Sequence, residues 1–358
     1  MYAVPLGTLK IAAVSVNGPG MVIEDQFFWI VLLVVVVRRN PANLRVHFRC
    51  WPTSTRNYKP LLRGVPPEGR DSRVLKKAVI PAAGLGTRLL SVTKEQPKEM
   101  LPVFAQGRNG DLCLKPIVQL VFEQLFHVGF REFCFIVGRG KRAIEDHFTP
   151  DFSYVSMLDR KGKDGPAGDL ESFYKMIDSS TVSWVNQSEP RGFGDAVLKA
   201  KSFAGEDKFM VHAGDSHFLA KDEDHLRRVM EASAKKKANA LFLSMVVDDP
   251  KRFGIIEGET MVDGLVRVKR LVEKPAKPAS RLAIMPVYVF DSNIFKALEA
   301  TTAGFAGELQ LTDGIQKMVD WNLDVYTTKV GSNEIWLDIG SPDLYWQAQN
   351  LSHKHWSH

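Results

Sequence analysis

Cysteine is scarce in this chain: Cys50, Cys113 and Cys134 are the only three in 358 residues, and they have no paired spacing. So sparse and odd a set excludes a disulfide framework and a cysteine-based zinc site, and a reducing compartment, the cytoplasm, is expected. Long apolar runs are lacking too. The most prominent, FFWIVLLVVVV, has 11 residues at positions 27–37, whereas a transmembrane helix needs ~20. Arg38 and Arg39 follow it, the reverse of a secretory signal, so no membrane association is expected. Excess charge is absent from most of the chain. The net charge is +6, but residues 1–75 hold ten Lys/Arg and four Asp/Glu, and the other 283 residues hold 37 of each. No basic stripe is implied on the main body, and no nucleic-acid partner is expected.

What is there divides into two regions. Residues 1–75 carry seven prolines and scattered arginines without a sustained period, which predicts a leader of doubtful order, an over-extended start being one explanation. Val74, just before Leu75-Lys76-Lys77, would then be the trace of an alternative start codon. From Lys76 onward strands and helices alternate. Predicted strands are 77–83, 131–137, 181–186, 208–213, 239–247, 265–272, 284–290, 323–330 and 334–338. Predicted helices are 115–129, 192–203, 222–237, 291–299, 311–321 and 341–351. This alternation predicts an α/β domain over 76–351, a Rossmann-like, three-layer, mixed and mostly parallel sheet with helices on both faces. Such sheets bind ligands beyond the carboxyl ends of their strands. Segment 159–170 (DRKGKDGPAGDL) reads as a mobile surface loop. Residues 352–358 read as a short tail.

The first strand ends in Ala82-Ala83-Gly84-Leu85-Gly86-Thr87-Arg88. A glycine turn of this kind can present backbone N–H groups to an anion. It is neither a P-loop nor a full dinucleotide fingerprint, because no Gly-Lys-Ser/Thr follows and Leu89 stands at the third glycine position. Lys94 and Lys98 follow, Lys98 ten residues after Arg88. Two fixed cations beside such a turn suit a triphosphate; the alternative is a structural turn with solvated lysines. Two acids close apolar strands: Asp215 in KFMVHAGD and Asp338 in EIWLDIG. If they converge they could hold Mg²⁺, which takes oxygen ligands from carboxylates and substrate phosphates. The alternative for each is a helix N-cap.

The segment KKAVIPAAGLGTRLLSVTKEQPKEMLP resembles the opening of the glucose-1-phosphate uridylyltransferases, within the sugar-phosphate nucleotidyltransferases. The resemblance runs over about 76–350. It implies that UTP and glucose 1-phosphate give UDP-glucose and pyrophosphate by in-line displacement, with Mg²⁺ on Asp215 and Asp338. Arg88, Lys98, Asp215 and Lys274 would be catalytic. Ala83, Gly84, Gly86 and Thr87 would hold the nucleotide phosphates. In NQSEPRGFGDAV, Gln187 would bond the uracil edge and Gly192 would lie close to the base; a buried structural amide is the alternative for Gln187. The family usually has histidine where this chain has Asp195, and no role is carried onto it. Gly254 in RFGII, Glu273 and Lys274 would bind the sugar phosphate, the alternatives being a strand-edge glycine and a solvated Glu-Lys pair. GELQLTD at 307–313 would shape the sugar site or a subunit contact. The polar stretch 151–180 resembles the part that separates uridylyltransferases from the shorter thymidylyltransferases. Trp184, Trp321, Trp336 and Trp346 are expected to pack.

A homo-oligomer is expected. The C-terminal β-helix acyltransferase domain of some relatives is not expected here. Rival readings are a thymidylyltransferase or another hexose-1-phosphate nucleotidyltransferase, a non-catalytic nucleotide-sugar sensor, and a basic nucleic-acid-binding protein.

Overall fold

The computed structural model describes residues 75–357. The proline-rich leader, the apolar run at 27–37 and Cys50 lie outside the described residues. The strands are β1 Lys77–Pro81, β2 Pro102–Gln106, β3 Leu112–Pro116, β4 Glu132–Val137, β5 Thr181–Asn186, β6 Phe209–His212, β7 Ser216–Leu219, β8 Ala240–Val246, β9 Gly254–Thr260, β10 Val266–Glu273, β11 Leu282–Phe290, β12 Val325–Lys329 and β13 Ile335–Asp338. The helices are α1 Ile117–His127, α2 Arg142–His147, α3 Phe152–Arg160, α4 Asp164–Asp178, α5 Phe193–Lys199, α6 Lys201–Ala204, α7 Asp224–Lys236, α8 Asn293–Glu299, α9 Leu311–Asp320 and α10 Pro342–Trp356.

Nine strands form one mixed sheet in the order β5-β4-β1-β6-β11-β8-β12-β10-β9. The β5-β4-β1-β6 half is parallel. Its inner strands β4, β1 and β6 are almost wholly apolar, as burial on both faces demands, while the edge strand β5 is only half-buried. Ala78 and Ile80 of β1 pack with Val118, Val121 and Phe122 of α1 and Phe173 of α4. Val79, pointing the other way, packs with Val197 of α5, Phe295 of α8 and Ile315 of α9. Phe122 alone meets Phe133, Phe148 and Phe173 at ring-centre distances of 4.6, 5.2 and 6.0 Å. Truncating a ring so enclosed costs roughly 3–5 kcal/mol.

The expectation of a mostly parallel sheet holds only for that half. Beyond β6, only β8 and β12 pair in parallel, and the other pairs are antiparallel. For β9 and β10 the cause is local: their connection closes through Met261 N–H to Leu265 O at 2.8 Å, a link too short for a parallel crossover; the other antiparallel pairs join strands far apart in sequence. A further pair, Ala283 opposite Ile255, joins β9 to β11. Strands β8 to β12 thereby form a closed circuit. The stretch 159–170 is also not a loop. It holds the end of α3 and the start of α4, with only a tight turn at Gly162 (φ 66°) between them.

Two small antiparallel ribbons, β2–β3 and β7–β13, pack with α10 through Val103, Leu219, Leu337 and Ala348. That helix continues through the expected tail, and Ser352 is buried there, accepting from Phe104 N–H at 3.2 Å. Among the tryptophans, Trp184 stacks on Phe135 and Trp336 meets Phe253 edge-on. Trp321 and Trp346 are 43% and 68% exposed; they sit at the end of α9 and on the outer side of α10, so the packing expectation fails for them. Among the described residues no helix is long and apolar enough to cross a membrane.

Candidate active site

The carboxyl ends of β1, β4, β5 and β6 share one edge of the sheet, and backbone bonds bind the loops leaving them. Ala82 N–H donates to Ile136 O at 2.8 Å, Gly214 N–H to Pro81 O at 3.0 Å, and Gln187 N–H to Val137 O at 2.8 Å. The glycine turn at 84–86, the acid at 215 and the amide at 187 are thus set side by side by neighbouring strands. Gly86 takes φ 65°, and Thr93 Oγ1 donates to its carbonyl at 2.8 Å.

Asp215 and Asp338 converge. In the β7–β13 ribbon Asp338 stands opposite Ser216, the neighbour of Asp215. Neither is a helix cap: Asp215 precedes a strand, and α10 is capped by Ser341. Lys98 Nζ donates to Asp215 Oδ2 in an ion pair. The stem of Lys98 rests on Gly84, 3.3 Å from where a Cβ would stand. Burial works against the Lys98 charge, but Asp215, Glu99 and Asp338 together push its pKa up to about 12. Burial likewise raises Asp215, and Lys98 outweighs it, so that carboxyl lies below its ordinary range. Asp338 has a weaker partner. Burial and then Asp215 push it up to about 6, although Gly340 N–H donates to its Oδ1 at 3.0 Å. Arg88 is exposed, with Nη2 3.2 Å from the Cβ position of Gly340, beside Asp338. Lys94 is solvated, and among the described residues its ion pair is with neighbouring Glu95 at 3.4 Å.

A second group forms where β9, β10 and α9 meet. Gly254 pairs with Glu273 in the β9–β10 ladder. Thr312 Oγ1 donates to Glu273 Oε2 at 2.7 Å. A Cβ at Gly254 would stand 2.8 Å from that hydroxyl, so only glycine fits. Strand neighbours normally face opposite ways. Lys274 escapes the rule by taking φ 40°, which brings its Nζ to 3.3 Å from Glu273 Oε1. A non-glycine residue in this region carries strain of a kind that concentrates at functional sites.

The third group is the loop between β5 and α5. Gln187 is buried, and its Nε2 donates to Gly192 O at 3.2 Å and Asp195 Oδ2 at 2.7 Å. Gly192 takes φ 112°, and a Cβ there would lie 2.6 Å from Leu309 O. Leu309 N–H donates to Arg191 O at 2.8 Å, and Gly194 N–H to Leu309 O at 2.9 Å. The 307–313 segment therefore touches the Gln187 loop through Leu309 and Glu273 through Thr312.

Gly84, Gly86, Arg88, Lys98, Asp215 and Asp338 fall in the first group, Gly254, Glu273 and Lys274 in the second, and Gln187 and Gly192 in the third, while Ala83 and Thr87 flank the glycine turn along the chain. Sequence reasoning missed Thr312 as the partner of Glu273. It also missed the buried Glu99–Lys141 pair at 2.7 Å, which sits under Lys98; burial raises Glu99 despite Lys141. The threonine lay inside a segment already singled out, but nothing along the chain marks its partner 39 positions away.

Comparison with known proteins places this geometry in a class. The nucleotidyl transferase profile matches residues 77–355, and the chain belongs to that family. Among its relatives, a UTP–glucose-1-phosphate uridylyltransferase from Bacillus subtilis is 38% identical, covering 68% of this chain and 80% of the relative. One from Pseudomonas aeruginosa is 34% identical, covering 79% of this chain and 97% of the relative. A crystal structure of UDP-glucose pyrophosphorylase complexed with UDP-glucose has TM-score 0.67 and 27% identity, covering 79% of this chain and 100% of that one. A UTP-bound UGPase from Acinetobacter baumannii has TM-score 0.67 and 29% identity, covering 80% of this chain and 95% of that one.

Proposed function

We propose that the chain transfers UMP from UTP to glucose 1-phosphate, forming UDP-glucose and releasing pyrophosphate. One observation carries the reading: Asp215, Asp338 and Lys98 meet beside the glycine turn. The relatives named as uridylyltransferases support the choice of substrates.

A phosphate oxygen of glucose 1-phosphate attacks the α-phosphorus of UTP. The bond from that phosphorus to the bridging oxygen breaks, and pyrophosphate leaves with the electron pair. The nucleophile is already anionic, so no side chain has to take a proton. The work is positioning and charge stabilisation. Backbone N–H groups of Ala83, Gly84, Gly86 and Thr87 cradle the phosphates. Arg88 and Lys98 offset their charge, and Lys274 holds the sugar phosphate. Glu273 accepts from sugar hydroxyls, and Gly254 lets the hexose approach. Gln187 reads the uracil edge beside the Gly192 backbone.

The donor set suits Mg²⁺. Asp215 and Asp338 offer adjacent hard oxygens, and the direct Lys98 pair neutralises only Asp215. When bound there, Mg²⁺ would supply positive charge to the phosphates, which with water would complete its shell.

The same reading takes the domain as a three-layer Rossmann-like fold, which the two separate core clusters support. It places the protein in the cytoplasm, in keeping with unpaired Cys113 and Cys134. It also makes the protein a homo-oligomer, for which exposed Leu112 and Leu114 on β3 offer an apolar edge.

The test is pyrophosphate release with UTP, dTTP, CTP and GTP, each with glucose 1-phosphate and with other hexose 1-phosphates. UTP with glucose 1-phosphate should be turned over fastest. Faster turnover of dTTP would make the enzyme a thymidylyltransferase, and nucleotide binding without turnover of any pair would make it a sensor.

A further inference from the structure

Asp195 is buried at the start of α5, and its contacts are specific. A primary amide has two N–H donors on its nitrogen and an acceptor oxygen on the other side. Both donors of Gln187 are committed inward, one to Gly192 O at 3.2 Å and one to Asp195 Oδ2 at 2.7 Å. Neither partner can return a hydrogen, since a backbone carbonyl and a carboxylate only accept. The other carboxylate oxygen of Asp195 faces cations on both sides, 3.7 Å from Lys199 Nζ and 4.0 Å from Arg191 Nε. The amide therefore has one orientation. Turned over, its oxygen would press on two other oxygens within a buried pocket. Among the described residues no hydrogen bond from the protein engages Gln187 Oε1, and that oxygen is not among the enclosed atoms left without a partner.

We propose that Asp195 is a positioning residue that makes this site a reader of uracil by holding the Gln187 carbonyl oxygen outward. The proposal rests on the assignment of Gln187 to the base. An outward oxygen accepts from the N3–H of uracil or thymine. It repels cytosine, whose N3 is itself an acceptor. Loss of the carboxylate frees the amide to turn and offer its NH₂ to cytosine. Discrimination between the two pyrimidines thus comes from a residue that need not touch either base.

The experiment compares UTP and CTP as substrates at saturating glucose 1-phosphate, for the wild type, Asp195→Asn, Asp195→Ala, Gln187→Ala and the double variant Gln187→Ala/Asp195→Asn. The ratio of kcat/KM for UTP to that for CTP should fall about 10- to 100-fold in Asp195→Asn, the range set by one buried unpaired polar group. The fall should lie in the UTP KM, with kcat within about threefold of wild type. In the Gln187→Ala background the same change should leave the ratio where Gln187→Ala alone puts it. Asp195→Ala serves if the asparagine variant does not fold, with a thermal melt as the check; it removes the acceptor that holds the Gln187 amide, so the ratio should fall there too.

An unchanged ratio in a folded Asp195 variant would overturn the proposal. So would an equal fall in both backgrounds, because Asp195 would then act through the fold. A wild type that turns over UTP and CTP alike would overturn the assignment of Gln187 itself. A wild type that turns over neither would overturn the parent reading, and this one with it.

Discussion

Thr312 donates its hydroxyl to Glu273 at 2.7 Å across the junction of α9 and β10. Glu273 is the acid assigned to the sugar hydroxyls, and this bond orients it. A hydrogen bond to a charged group contributes about 1.5–3 kcal/mol. Thr312→Val should therefore raise the KM for glucose 1-phosphate about 10- to 100-fold, with the UTP KM little changed. Thr312→Ser should restore most of it. Steady-state kinetics with each substrate varied in turn would check this, and an equal rise in both KM values would count against the role.

Lys98, Asp215 and Lys274 are each assigned a preorganised charge. Loss of one such contact typically costs ~3–4 kcal/mol of barrier. Lys98→Ala, Asp215→Ala and Lys274→Ala should each lose at least ~100-fold in rate. Near-wild-type turnover in any two of them would defeat the assignment.

Chelation should abolish pyrophosphate release, and added Mg²⁺ should restore it. Asp338→Asn removes one of the two proposed oxygen ligands. It should raise the Mg²⁺ concentration needed for half-maximal rate by about tenfold or more, in line with the loss of one ligand. A titration of rate against Mg²⁺ reads this directly.

Gly192→Ala should be poorly tolerated. The new Cβ would meet the Leu309 carbonyl at 2.6 Å, and φ 112° is foreign to alanine. A loss of about 1–3 kcal/mol is expected, with a weakened affinity for UTP, measured by chemical denaturation and calorimetry.

Four histidines should make the fold acid-sensitive. Burial lowers His147 and His212 to about 4 and His217 to about 3, and holds His225 well below its ordinary value. Each is neutral when folded, while the unfolded chain takes up protons below about 6.5. Stability should therefore be full above pH 6.5 and fall as the pH drops towards 4, on the order of 2–3 kcal/mol each for His147 and His212. Denaturation midpoints between pH 7.5 and 4.5 would measure it, and a flat profile would be inconsistent with neutral burial.

The chain order carried much of this site in readable form. An apolar run that ends in Gly-Asp places Asp215 at the lip of a parallel strand, because such strands are buried and their ends are not. Asp338 was read the same way, but its strand belongs to the antiparallel β7–β13 ribbon, and that pairing is what sets it beside Asp215; periodicity located α1, α7 and α9. The α3–α4 pair was illegible for a local reason. Its Gly- and Asp-rich composition imitates a loop, and its helicity rests on Val155, Phe173 and Ile177 packing into the core. The closed circuit of β8 to β12 depends on pairings between strands far apart in sequence, which no local pattern encodes. Asp195 was passed over because its meaning lies in the buried amide that it faces.

The 307–313 segment carries a last consequence. Its backbone at Leu309 is hydrogen-bonded into the loop of Gln187, and three residues later Thr312 grips Glu273. On the proposed assignment one short span serves as the common wall of two recognition pockets. Redesign for a different hexose would then disturb nucleobase selection as well, unless the span is transplanted whole with the loop it leans on. A substrate docking on either side would stiffen that shared wall and leave less ordering for the other to complete.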